Sequence, residues 1–365
     1  MSKQQPEVVI IGAGILGISL AYHLARRGRT VVVLERESTY GAHASGKTAG
    51  MFRQLYRNPQ LTEWAKRSRE SWPDRVLDVG FDQTGSVIVG RQVPDHHQDL
   101  FVQCSVDARY TGGIQTVPAV YTATDGLIAP KPFLDALYSA CDESQVHFSF
   151  GTRCASIFPR GKTWEVLCSD GSKFETEHIA NCAGAWVNDF IRPRCRELVV
   201  NAEAFARHLF VVSGFEHPSS PLTEVGFYWE ENADWYARRW SKGCGLVSVC
   251  DLLACNPDTF NPNASIVDEV YEKLTRSMPE LVEIDLKNAW HCFRTYTEDK
   301  LPIWGADPVA PGLFWLAAFG GFGISTGFAA AQDAARAICG ETTSVPSSFS
   351  PQRVQLPARG ATLRA

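Results

Sequence analysis

The chain has 365 residues, 45% of them hydrophobic and 21% charged, with a formal net charge of −5, so it is long enough for two cores and lacks the basic excess of a nucleic-acid binder. Its 11 cysteines include no CxxC pair and no His/Cys cluster at zinc spacing, which speaks against a metal site or a disulfide framework and for reduced thiols in a cytoplasmic protein. The apolar stretch Val8–Ala25 is broken by three glycines and a histidine, follows no basic segment and precedes no small-residue cleavage site, so neither a membrane span nor a leader is expected from it.

Glu7–Ile11 is a β-branched run that predicts a strand, Gly12–Gly17 a turn, Ile18–Arg27 an apolar-faced helix, and Thr30–Leu34 a second buried strand ending at Glu35. Residues 41–56, GAHASGKTAGMFRQLY, follow neither the helical nor the strand period and read as a loop. Helical spacing resumes at Leu61–Trp72, with Leu61, Trp64, Ala65, Ser68 and Trp72 on one face. Gly85–Gly90 predicts a strand, and Pro132–Cys141 a helix beyond the Asp125–Gly126 turn. Val146–Thr176 breaks into short alternating strands with a turn at Ser169–Ser172, followed by the buried strand His178–Cys182. Residues 205–255 predict antiparallel sheet, including a hairpin in FYWEENADWYARRW that turns near Glu231–Ala233. Val267–Met278 predicts a helix, Leu313–Ala317 a strand, Gly320–Gly323 a turn and Ile324–Ile338 a small-residue helix. The last twenty residues, rich in Pro, Ser and Arg, are expected to form a poorly packed tail.

Nucleotide-type pieces thus occur at the start, middle and end, with sheet-rich pieces between them. That order predicts two interleaved domains: one from residues 1–80, 142–192 and 286–345, the other from 81–141 and 193–285, with 346–365 as the tail.

In VVIIGAGILGISLAYHLARRGRTVVVLERE, Gly12 allows a tight turn, Gly14 lets the backbone approach a pyrophosphate, and Gly17 lets the helix pack on the strand. The helix N-terminus offers free N–H groups to phosphate, with Ile15 and Leu16 in the turn that leads into it. Glu35, with Arg36 beside it, closes the second strand where a carboxylate accepts from ribose hydroxyls and repels a 2′-phosphate, which disfavours NADP. A lone GxGxxG is weak, but this one is framed by two strands, a helix and a terminal Glu. The motif leaves NAD and FAD both open.

Three further segments accompany that opening: the 41–56 loop, NCAGAW at 181–186 and WLAAFGGFGISTG at 315–327. In this joint order, from Val8 to about Ile338, the chain resembles the D-amino-acid oxidase superfamily of FAD enzymes, which includes glycine oxidase, sarcosine oxidase and D-arginine dehydrogenase. The resemblance implies an α/β FAD-binding (Rossmann-like) domain interleaved with an α+β substrate domain built on an antiparallel sheet, and FAD as the cofactor. It implies that the loop wraps the pyrophosphate and the flavin edge, with Ser45, Lys47 and Thr48 as donors and Ala49, Gly50 and Met51 in close approach. Arg153 and Cys154 would pin the adenine through their backbone, and Ala183, Gly184 and Trp186 would form the second crossing. Gly320, Gly321, Gly323, Ile324 and Ser325 would aim a helix N-terminus at the flavin N1–C2=O region. Taken singly, each of these glycines is also an ordinary turn former.

Members of this family oxidise a C–N bond next to a carboxylate, which implies a small amino-acid or amine substrate, with O2 or another electron acceptor taking the electrons onward. An arginine is the expected carboxylate partner, because its planar fork pairs with two oxygens. The resemblance offers Arg53 in MFRQLY, Arg207 in FARHLF and Arg294 in HCFRTYTEDKLPIWG, together with the tyrosines Tyr56 and Tyr228. Trp229, Trp235, Tyr236 and Trp240 of the hairpin could wall a site, but most are read as ordinary half-buried sheet. Cys292 stands where sarcosine-oxidase-like enzymes bond the flavin 8α carbon and where the D-arginine branch has no cysteine, so a covalent FAD and a plain buried thiol both stay open. Ser325 replaces a carboxylate-binding lysine of sarcosine oxidases, and Ser86 replaces the acidic group with which the D-arginine branch reads a cationic side chain. Neither a sarcosine pocket nor a guanidinium substrate is therefore supported. Two rival readings remain: oxidation of a 2-hydroxy acid, which needs a base such as His43, His208 or His291, and a flavin-holding subunit without catalysis, which would have no use for the loop arginine and tyrosine.

Overall fold

Val8–Ile11 is four consecutive buried β-branched residues, a composition that suits a strand covered on both faces. In the computed structural model, which describes residues 5–90, 106, 108–114, 117–191, 198–216, 220–231, 234–262, 266–278 and 284–355, it lies inside a six-stranded sheet. The order is Ile303–Ala306, Leu313–Ala317, His178–Asn181, Val8–Ile11, Val31–Leu34, Val146–Ser149, parallel throughout except at the first pair. Six helices are present among the described residues: α1 (Ile15–Ala25), α2 (Pro59–Ser71), α3 (Asp74–Gly80), α4 (Pro130–Ser139), α5 (Ile266–Ser277) and α6 (Gly323–Ile338).

One face of the parallel sheet carries α1, α4 and α6. The buried run Ala329, Ala330, Ala331, Ala334 and Ala335 lets α6 sit enclosed between α1 and α2. Asp333 fastens it, accepting from Trp64 Nε1 at 2.8 Å and from both Arg67 Nη atoms at 2.9 Å. Asn58 starts α2 by accepting from Gln60 N and Leu61 N, with Pro59 following it. The other face is covered by the antiparallel strands Cys154–Arg160, Thr163–Cys168 and Lys173–Thr176, which pack Ile157, Trp164 and Val166 against Val9, Ile11 and Val32.

The second unit is a nine-stranded sheet in the order Leu253–Ala254, Ala202–Ser213, Cys244–Ser248, Trp235–Ser241, Phe227–Glu230, Ser86–Val89, Val117–Thr122, Ala108–Ile114, with Leu286–Thr297 paired to Ala202–Ser213. Its two faces alternate along each strand. Phe210, Val212 and Trp235 pack against Ile266, Val270 and Leu274 of α5, while Leu209, Val211, Tyr236 and Cys292 pack against Ala49 of the 41–56 loop. The architecture is a Rossmann-like unit with a sheet partner that is antiparallel except where Phe227–Glu230 runs parallel to Ser86–Val89, which makes the expected antiparallel sheet a mixed one.

Three expectations are corrected here. Leu286–Thr297 pairs along its length with Ala202–Ser213, so this strand belongs to the large sheet and not to the nucleotide unit in which residues 286–345 were grouped. Conversely α4, grouped with the sheet domain in 81–141, buries Phe133, Leu134 and Leu137 in the core that holds Ile10, Leu20 and Leu24. Strand or helix period shows in a sequence, whereas the partner does not. The tail is also packed: Ser347–Phe349 and Pro351–Val354 form single 3-10 turns, Phe349 is fully buried with its ring centroid 5.3 Å from that of Trp64, and Arg353 donates to Asp299 at 2.7 Å. Its prolines break regular structure without preventing one Phe from entering the core. Residues 356–365 lie outside the described residues, as do residues 232–233 of the hairpin turn.

Candidate active site

A cleft opens where the ends of the parallel strands meet the large sheet. Gly12 sits at φ +103°, and a Cβ there would be 2.5 Å from Cys182 O; a Cβ on Gly17 would be 1.9 Å from Gly12 O. Only glycine permits this close seat for α1. The helix begins at Ile15, three residues earlier than its apolar period suggests, and Gly14 provides no side-chain cap. No acidic residue lies in its first turn, so the positive end of the helix faces the cleft uncompensated. Ser45 Oγ accepts from Ile15 N at 2.9 Å, which ties the unpatterned loop to the helix start. Glu35 is buried, its two oxygens accepting from Ala13 N at 2.7 Å and Glu37 N at 2.9 Å.

The cleft is lined by Gly12, Gly14, Ile15, Leu16, Glu35, Arg36, Ser45, Thr48, Arg153, Cys154, Ala183, Gly184, Trp186, Cys292, Arg294, Gly320, Gly321, Gly323 and Ile324. Gly17 is the packing contact behind it. Lys47, Ala49, Gly50, Met51 and Ser325 are outside this lining, as are the predicted substrate residues Arg53, Tyr56, Arg207 and Tyr228. Trp290 donates to Lys47 O at 3.0 Å, Arg238 donates to Ala49 O at 2.7 Å and to Gly50 O at 3.1 Å, Met51 pairs with Leu127, and Ser325 Oγ accepts from Arg53 N at 3.3 Å. Sequence reasoning missed Thr152, Asp189, Phe293, Thr295 and Phe319, which also line the cleft, as does His43, singled out above only as a candidate base. At the Glu35 end Arg36 lies 4.6 Å over the Trp186 ring and 2.9 Å from Asp258, which also accepts from Trp186 Nε1 at 2.9 Å.

At the other end lies the N-terminus of α6. Arg294 reaches it, since a Cβ on Gly321 would be 2.4 Å from Arg294 Nη1. Arg207 pairs in register with Cys292, two residues before Arg294, so all three share one face of the sheet. Arg207 is buried; its Nε donates to Asp251 O at 2.6 Å while its Nη1 has no hydrogen-bond partner among the described residues. Arg53 lies 4.5 Å over the ring of Tyr56 and 4.6 Å over that of Trp229. The Trp229 ring lies 5.1 Å from that of Tyr236, whose buried hydroxyl likewise has no partner among the described residues. Among these residues Arg53, Arg207 and Arg294 form no ion pair.

Tyr228 is placed away from this group. Its ring lies 5.4 Å from Trp235, on the face covered by α5. Trp229, the next residue along, takes the face toward Arg53. A strand alternates every residue, so being one position off in phase changes the face. The signal that would have found Trp229 and Tyr236 was the pairing Trp229 to Tyr236 across the hairpin.

Burial pushes the Tyr56 phenol above its usual range, and does the same for Tyr236 although Arg294 and Arg207 pull the other way. The Cys292 thiol is raised by burial against the opposing pull of the same two arginines, so it is held as a neutral thiol. Burial works against the charge on Arg294, whose guanidinium nonetheless stays protonated with the Tyr296 hydroxyl as a hydrogen-bond partner. His208 Nδ1 sits 2.8 Å from Asp251 Oδ2, and His43 Nε2 sits 2.9 Å from Glu37 Oε1. Among the described residues no helix is long and apolar enough to cross a membrane.

The glycine cradle, the bare helix start, Ser45, Glu35 and the glycine-rich entry to α6 together fit FAD. Residues 7–337 match the sequence profile described as FAD dependent oxidoreductase. Over 88% of its length the chain is 25% identical to rat mitochondrial dimethylglycine dehydrogenase, covering 41% of that protein. It is 23% identical to the mouse mitochondrial pyruvate dehydrogenase phosphatase regulatory subunit, again over 88% of this chain and 40% of the relative. It therefore spans about two fifths of each of these relatives. The crystal structure of L-proline dehydrogenase from P. horikoshii shares the fold, with a TM-score of 0.83 at 19% identity, covering 96% of this chain and 98% of that one.

Proposed function

The chain belongs to the FAD-dependent oxidoreductase family, and from that premise we propose that it oxidises the C–N bond of an amino acid or N-substituted amino acid. The observation that carries this reading is Arg294, a guanidinium in the cleft lining, beside Gly321 at the start of α6, with no carboxylate partner among the described residues. A planar fork of that kind pairs with both oxygens of a substrate carboxylate and holds the neighbouring amine carbon at the cleft. Bound FAD supplies the two-electron acceptor, so the carbon gives up a hydride and water hydrolyses the resulting imine.

The protein's own contribution is binding and charge. The start of α1, Ser45 and Glu35 would hold the dinucleotide, while Tyr56, Trp229 and Tyr236 shield the substrate end from water. Arg53, Arg207 and Arg294 gather positive charge there, and burial among them favours a neutral amine over an ammonium. The neutral amine has the free lone pair that the reaction requires. The hydroxy-acid alternative needs a base at the same place, but His208 and His291 pair in register on the sheet face opposite Arg207, Cys292 and Arg294, and His43 lies against Trp186 at the Glu35 end of the cleft. The other alternative, a chain that holds flavin without turnover, has no use for a guanidinium left without a carboxylate in the cleft lining.

The test is anaerobic mixing of the flavin-loaded protein with amino acids, N-methyl amino acids and 2-hydroxy acids. Loss of flavin absorbance with amines alone is expected. Bleaching by hydroxy acids alone refutes the reading in favour of C–O oxidation, and bleaching by nothing refutes it in favour of a holding role.

A further inference from the structure

Beside the cleft that Arg294 lines, Arg53 and Arg207 add more positive charge than one substrate carboxylate can answer. Arg53, Arg207 and Arg294 form no ion pair among the described residues, and the nearby buried carboxylates are otherwise engaged. Asp125 accepts from Gln54 N at 3.0 Å and from Ser86 Oγ at 2.7 Å, and Asp251 accepts from His208 N at 2.9 Å. Asp125 acts on Arg53 only from beyond ion-pair distance, so a ligand carboxylate is the counter-charge that can pair with it directly.

The three cations form two stations. Arg294 and Arg207 share one sheet face with Cys292, and both act on the Tyr236 phenol. Arg53 belongs elsewhere: it is stacked on Tyr56 and Trp229, and Trp229 in turn lies against Tyr236. The strands bearing Trp229 and Arg294 have three others between them in the sheet. A single carboxylate, with two oxygens on one carbon, does not reach across a pair of aromatic rings. Arg53 is also held in place from both sides, because its own N–H donates to Ser325 Oγ and that of Gln54 donates to Asp125.

Resting on the amine-oxidising reading above, we propose that the substrate carries two carboxylates, one held by Arg294 and the second by Arg53, so that the substrate class is an amino dicarboxylic acid. The second acid group sits either on the side chain or on a substituent of the nitrogen, and Trp229 and Tyr236 pack against the carbons between the two charges.

Binding and turnover test this separately. Two redox-inert thioethers, thiodiacetate and (methylthio)acetate, are titrated into the holoenzyme and followed by perturbation of the flavin spectrum. The diacid is expected to bind about 10–100-fold more tightly, the worth of one charge-assisted pair. R53Q should bring the two within about twofold of each other, whereas R294Q should weaken both. Equal affinity in the unaltered protein overturns the proposal, as does an R53Q effect of the same size on both compounds, which would mean that the arginines grip a single carboxylate. Iminodiacetate and glutamate against N-methylglycine and norvaline, followed by flavin bleaching, then separate a nitrogen-borne from a side-chain acid. Faster bleaching by either monoacid than by both diacids overturns the proposal and leaves C–N oxidation standing. If no amine bleaches the flavin, C–N oxidation fails, and the thioether titration still decides whether there are two carboxylate stations.

Discussion

Asp125→Asn isolates the most heavily buried carboxylate of the substrate end. Asp125 has no exposed surface, and burial raises its pKa from the ordinary 3.8 to about 6, against the opposing hydrogen bonds from Ser86 and Gln54. A carboxylate whose folded pKa is raised binds its proton more tightly when folded, so the folded state gains least once the group ionises. Stability should therefore be highest below about pH 4 as far as this group is concerned, and fall as pH rises from about 4 to about 6. A shift of this size corresponds to roughly 3 kcal/mol. With an unfolding entropy of roughly 0.8 kcal/mol/K for a chain of this length, the loss is about 4 °C in Tm. Asn keeps an acceptor for Gln54 N and gains a donor toward the Ser86 hydroxyl, which can rotate to receive it. Thermal melts of the wild type and D125N should thus diverge between pH 4 and pH 7, the variant lacking about 4 °C of the fall seen in the wild type. Parallel melting curves across that range would refute the reasoning, because they would mean that the Asp125 charge costs nothing where it lies.

R294K keeps the charge but loses the planar fork, and should lower kcat/KM for a reducing amino acid by about 10–100-fold, read from stopped-flow flavin bleaching; an unaltered value would remove Arg294 from substrate binding. The neutral, buried Cys292 thiol is a poor nucleophile, so acid precipitation should leave the yellow colour in the supernatant; a yellow pellet that turns white in C292S would show the opposite. Phe349→Ala removes a fully buried ring packed on Trp64, and should cost about 3–5 kcal/mol, seen as a lower Tm; a wild-type melting temperature would mean that the 347–354 turns do not contribute to the core.

Much of the nucleotide unit was legible because its signals are local. Gly12, Gly14, Gly17 and Glu35 act within one βαβ segment, where spacing alone specifies geometry. The substrate end was legible only in part. Arg53 and Arg294 stood out by residue type, but the sheet that joins them is assembled from strands far apart in sequence, such as Ser86–Val89 against Phe227–Glu230. Choosing Tyr228 over Trp229 was a matter of phase: both are aromatic, and only tertiary packing shows which face α5 covers. The same limit explains Leu286–Thr297, a strand that the sequence reading did not identify and whose partner, Ala202–Ser213, lies some eighty residues earlier.

The unpatterned loop at residues 41–56 has its explanation in that assembly. A helix or strand would satisfy its own backbone groups or present them to a single neighbour, but this segment is bonded from several directions. Ser45 serves the start of α1, Trp290 caps Lys47 O, and Gly50 O accepts from Ile128 N at 2.7 Å. Arg238, reaching from the large sheet, donates to the carbonyls of Ala49, Gly50 and Ile128, and burial lowers its pKa to about 10. A guanidinium that spends its donors on these three carbonyls and on Arg239 O is acting as a structural clamp, not as a reader of substrate. The loop then delivers Arg53 and Tyr56 beside the start of α6 with their backbone fixed by Ser325 on α6 and by Thr62 on α2. Its lack of periodicity is therefore the physical consequence of lying between two units and bonding to both, so that residue type at each position answers to a different neighbour.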